Sequence, residues 1–195
     1  MNIKKICQNL SIIYGFLMFI YFTFLTLSFL IPDSLLIDNW TESVLLISSE
    51  PKRWSVISGI EGTKLDTFTD NLMFQKLLNR EQMNPIKAAM WTEGYLRYWF
   101  GILVFLRPLL LFFNYTLIRY LNVFVIFSLF FIVNSKIRNN INKSISFGFS
   151  LSLMMIHFWI FPLSLQYTPV YIIMMTSVYL LIYMYQNNRM NIKNV

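Results

Sequence analysis

Asp66 and Asp70 stand four residues apart in the stretch Lys64-Leu65-Asp66-Thr67-Phe68-Thr69-Asp70. On a helix that spacing puts both carboxylates on one face, close enough to hold a divalent cation or to act as a general base and its helper. The same spacing also suits a helix start, with Asp66 capping and Asp70 near the positive end of the helix dipole. Two arginines complete the candidate set. Arg107 and Arg119 each sit in an apolar setting, where a guanidinium needs a carboxylate or a phosphate partner. A phosphate on a lipid-linked substrate is one such partner, and snorkelling to ordinary headgroups is the other reading. The single histidine, His157, lies in an apolar run beside Trp159 and suits either a proton relay or a helix-packing hydrogen bond.

Other chemistry finds no motif. No glycine-rich phosphate loop, His/Cys ligand set or Ser-His-Asp arrangement occurs. Cys7 is the one cysteine, which excludes an internal disulfide and leaves either an idle thiol or an acylation site.

The elements that must position these residues are set by an apolar composition. Hydrophobic residues make up 56% of the 195, only 13% are charged, and mean hydropathy is +0.55. A soluble domain of this size needs more charge to cover its surface. The apolar residues also cluster in runs near the ~20 residues that a helix needs to cross the hydrocarbon core, so the lipid bilayer is the expected solvent. The net charge of +7 does not point to nucleic acid. All nine acidic residues fall within residues 32–98, against seven basic ones there, while the other nine basic residues have no acidic neighbours. Such segregation follows membrane topology and not a basic binding face.

The expected fold is all-α: a single polytopic membrane domain over residues 1–195 with about four transmembrane helices. Lys4 and Lys5 precede the uncharged run 10–31, which is longer than a signal-peptide core and has no small-x-small cleavage site after it. It is read as a retained first span with a cytoplasmic N-terminus. Residues 32–98 form an outer helical subdomain. Within it Pro32-Asp33 opens an amphipathic helix carrying Ile37, Trp40, Val44 and Ile47, and Gly59 with Gly62 marks a turn. Thr67-x-x-Asp70 reads as a capping box, and Asn84-Pro85 starts a third short helix. Arg107-Pro108 interrupts the next apolar run, so residues 99–113 are assigned to an interfacial or re-entrant segment. Spans over 116–134, 144–165 and 168–186 follow. That arrangement gathers Lys4, Lys5, Lys136, Arg138, Lys143, Arg189 and Lys193 on the cytoplasmic side and leaves both termini there.

Asn84-Pro85-Ile86-Lys87-Ala88-Ala89, Arg97-Tyr98-Trp99-Phe100-Gly101, the stretch from Val104 through Arg107-Pro108 to Tyr115, and Ile118-Arg119 resemble an uncharacterised family of bacterial polytopic membrane proteins. The similarity runs from about Leu65 to Pro162-Leu163-Ser164-Leu165-Gln166. The layout in turn resembles the amino-terminal module of GT-C glycosyltransferases. That resemblance implies transfer from a polyprenyl-phosphate-linked sugar, with Asp66 or Asp70 as base or cation ligand and Arg107 and Arg119 near the lipid phosphate. Phe100 stands where the family pattern has histidine, and the chain is shorter than its members. The rival expectation is a non-enzymatic membrane scaffold or accessory subunit.

Overall fold

Lys4 and Lys5 are the only charges in the first helix, α1 (Ile3–Ser28), which is about 39 Å long at 1.5 Å per residue. In this computed structural model the described residues are 3–51, 53–60, 63–78, 83–90 and 100–193. Leu10, Ile12, Phe16 and Phe19 on α1 are each 60% or more exposed. Apolar side chains left this exposed fit lipid surroundings. Among the described residues three helices are long and apolar enough to cross a membrane: Lys4–Ser28, Tyr115–Asn140 and Thr168–Asn187.

The remaining elements are α2 (Ile37–Ser49), a two-stranded hairpin of β1 (Arg53–Ser55) and β2 (Lys64–Asp66), α3 (Phe68–Gln75), α4 (Pro85–Met90), α5 (Leu103–Leu110), α6 (Tyr115–Asn140), α7 (Lys143–Met155) and α8 (Thr168–Lys193). The hairpin is antiparallel, with Trp54 opposite Leu65, and Gly59 supplies a positive φ of 84° in its turn. The expected turn at Gly59 therefore connects two strands. Gly62, residues 91–99 with Arg97-Tyr98-Trp99, and the Phe100 side chain lie outside what is described. The third short helix starts as expected, because the Asn84 side-chain Oδ1 accepts from the Lys87 N–H at 2.8 Å.

Two units build the chain. The first comprises Met1–Leu45 and Asn71–Tyr115. Its core is formed by the last turns of α1 and by α5, with Leu25, Phe29, Leu36, Phe74, Leu77, Leu103, Leu106 and Leu110 all buried. Phe74 packs on Tyr115 at 5.1 Å between ring centroids. Polar pins reach across it: Trp40 Nε1 donates to the Phe74 carbonyl at 2.9 Å, and Asn39 Nδ2 to that of Leu110 at 2.8 Å. The eight residues of α5, Pro108 among them, extend about 12 Å and are too short to cross the hydrocarbon core.

The second unit comprises Leu46–Asp70 and Thr116–Val195. Here α7 and the 3-10 segment after it run antiparallel to α6. The Ser146 Oγ bonds the Asn134 side chain at 2.7 Å, Phe149 stacks on Phe130, Phe158 packs between Phe127 and Phe130, and the Leu163 carbonyl accepts from Arg119. Ile126, Val133, Ile137, Leu153, Met175 and Ile182 complete the apolar core with α8.

One expected helix is broken in this unit. Residues 144–165 are not one continuous helix, because α7 stops at Met155, His157 takes a left-handed conformation at φ 56° and ψ 43°, and Phe158–Leu163 is a 3-10 helix. Pro162 supplies the reason. It has no N–H to give, and in an α-helix its ring would strike the carbonyl four residues back, at Phe158. The chain turns just before that point.

Candidate functional site

Asp66 and Asp70 do not share a helix face. Asp66 ends β2, and its Oδ1 accepts from the Phe68 N–H at 2.9 Å, so it satisfies one of the donors left open at the start of α3. Thr67 donates to the Pro51 carbonyl at 3.0 Å, tying the helix start to the loop before β1. Asp70 lies in the first turn of α3 and is fully buried. Its carboxylate accepts from the Ser164 hydroxyl at 3.1 Å and from the Leu165 N–H at 3.1 and 3.2 Å. Ser164 follows the 3-10 segment, so Asp70 anchors the connection into α8. Asp66 is half-buried, and of the two carboxylates it alone touches solvent. Among the described residues no three His, Cys, Asp or Glu side chains gather as a cation would need.

Arg107 is fully buried in the first unit. Nε donates to the Ser28 carbonyl at 2.8 Å, Nη1 to that of Leu77, and Nη2 both to that of Ile31 at 2.6 Å and to Asp33 Oδ1 at 2.9 Å. The Phe29 ring lies against the guanidinium, 4.4 Å from its central carbon. Ser28 ends α1 and Ile31 lies just beyond it, where carbonyls lack the partner an α-helix would supply, so Arg107 serves as a C-terminal cap drawn from a distant helix. Burial pushes the Arg107 pKa down from its ordinary value, and the hydrogen bond and charge of Asp33 push it back up. Four of the five guanidinium N–H groups have acceptors inside the protein. A phosphate would have to displace them.

Arg119 opens α6 and faces Glu50, at the end of the α2 segment. Nη1 and Nη2 donate to the two Glu50 oxygens at 2.5 and 2.7 Å, and Nε donates to the Leu163 carbonyl at 2.9 Å. Both side chains are about nine-tenths buried. This is the two-pronged geometry that makes arginine–carboxylate pairs strong and directional.

His157 is placed by the break after α7 and meets Trp159 edge-on at 5.0 Å between ring centroids. Reading the residues alone missed Asp33, Glu50 and Ser164 as partners. The signal available for the first two was chemical: a guanidinium in an apolar setting demands an anion, and each of these carboxylates borders an apolar run. Comparisons with protein-family models, with curated proteins and with solved structures found no match.

Proposed function

We propose that this chain is a multi-pass membrane scaffold or accessory subunit, whose polar segment serves in docking a partner and not as a catalytic head. One observation carries the reading: Asp70, Arg107 and Arg119, the side chains best suited to chemistry, are buried and hydrogen-bonded to the protein's own backbone and side chains. A catalytic base or a phosphate clamp must meet its substrate.

In the topology we favour, the N-terminus is cytoplasmic and residues 32–98 lie outside. The chain then crosses inward on α6, outward on α7 with the 3-10 segment, and inward on α8. The contacts from Ser146–Asn134 to Leu163–Arg119 support the outward crossing, because α6 rises about 22 Å between residues 119 and 134. Lys136, Arg138 and Lys143 then share the cytoplasmic side with both termini.

The half-buried Asp66 supports a second reading, a GT-C-like transferase in which this aspartate acts as base toward a polyprenyl-phosphate-linked sugar. A photoreactive residue at Phe16 or Phe19 on the exposed face of α1 separates the two in native membranes. A scaffold gives one discrete protein adduct. Lipid adducts alone, together with sugar transfer that Asp66→Asn abolishes, would overturn it.

A further inference from the structure

The last three turns of α6 change character within a short distance. Phe131 and Ile132 are 63% and 50% exposed, and one turn further Ser135, Lys136, Asn139 and Asn140 follow on the same strip. These six residues line an open cleft of about 490 Å³. From residue 131 to residue 140 the helix rises about 13 Å, comparable with the step from upper acyl chain to headgroup. The polar end is positive. Lys136 is half-buried and its Nζ stands 5.8 Å from the Tyr179 ring centre, while Arg138 and Lys143 flank the turn to α7.

Among the described residues no ion pair reaches Lys136. Residues 99–195 contain no Asp or Glu at all. Among the described residues of the second unit, Glu50 is held by Arg119, seventeen residues or about 25 Å back along α6, Asp70 by Ser164 at that same far end, and Asp66 by the Phe68 N–H at the start of α3. In the topology proposed above Lys136 is a cation at a membrane boundary with an apolar wall beneath it, and that combination matches one ligand chemistry. We infer that this cleft binds an anionic phospholipid, with its headgroup phosphate on Lys136 and an acyl chain against Phe131 and Ile132.

The polar side chains are arranged for it. Asn140 Nδ2 donates to the Lys136 carbonyl at 2.9 Å and Asn139 Nδ2 to Ser135 Oγ at 3.4 Å, and both residues line the same cleft as Lys136. Arg138 is two residues from Lys136, about 200° around the helix, and shares the general surface charge without sharing the cleft. It serves as the control.

The test uses the full chain in nanodiscs of phosphatidylcholine with a minor fraction of phosphatidylglycerol, with benzoyl-phenylalanine at position 131. The cleft predicts capture of phosphatidylglycerol about fivefold above its share of the lipid. Lys136→Gln should remove that enrichment, and Arg138→Gln should keep most of it. Equal thermal midpoints for the two variants guard against misfolding. A large excess of inorganic phosphate should not compete. Unselective capture, equal loss in both variants, release by free phosphate, or capture of a protein in place of lipid in native membranes would each overturn the inference.

Discussion

Arg119 and Glu50 are separated by 69 residues in the chain and joined by two parallel hydrogen bonds of 2.5 and 2.7 Å. The pair closes the start of α6 onto the end of the α2 segment, and the third donor of Arg119 reaches the Leu163 carbonyl. Removing one partner leaves the other charge buried and unpaired, at a cost of about 3–5 kcal/mol. Arg119→Met and Glu50→Met should each lower the thermal midpoint in detergent strongly. The double variant should lose less than the sum of the two, and strict additivity would show that the pair is not coupled.

Asp70 and Asp66 should part company on substitution. Asp70→Ala strips acceptors from the buried Ser164 hydroxyl and Leu165 N–H and should cost about 1–3 kcal/mol for each group left unsatisfied. Asp66→Asn keeps an oxygen for the Phe68 N–H and should be nearly silent in a melt, because asparagine caps about as well as aspartate. The same loss in both would place Asp66 in a role beyond that cap.

Arg107→Lys should be destabilising by about 2 kcal/mol or more, since an ammonium presents three donors from one point and cannot span the carbonyls of Ser28, Ile31 and Leu77 together with Asp33. The readout is the melting midpoint in detergent free of added lipid. A stable Arg107→Lys protein that has lost only lipid-phosphate binding would instead favour the phosphate role.

The need for partners at Arg107 and Arg119 was legible in the residues, because burying a guanidinium in apolar surroundings is costly without an anion. The partners were not. Asp33 and Glu50 lie 74 and 69 residues away, a distance that neither periodicity nor hydropathy can bridge. The apolar runs of α1, α6 and α8 were legible for the opposite reason, since each is long enough to act alone. The break at His157 was hidden because hydropathy is blind to backbone: residues 144–165 are apolar enough to cross, yet Pro162 disfavours α-helix four residues earlier. β1 and β2, three residues each, are too short to show an alternating pattern. For Asp66 and Asp70, a four-residue spacing implies one face only if both residues are helical, and α3 begins at Phe68.

His157 itself offers a backbone test. A left-handed φ of 56° costs an ordinary L-residue about 1–2 kcal/mol and a glycine almost nothing. His157→Val should therefore lower the melting midpoint clearly, and His157→Gly should fall well short of that loss even though the ring contact with Trp159 goes. A valine variant as stable as wild type would mean that the segment after α7 does not turn at this residue.

The scaffold reading stands or falls most directly on a transfer assay. Purified chain in proteoliposomes would be offered a panel of labelled polyprenyl-phosphate sugars and acceptors, with insertion verified in the same vesicles and Asp66→Asn run alongside. The account predicts that wild type and Asp66→Asn are both indistinguishable from protein-free vesicles. Transfer by the wild type that Asp66→Asn abolishes without loss of insertion would contradict it.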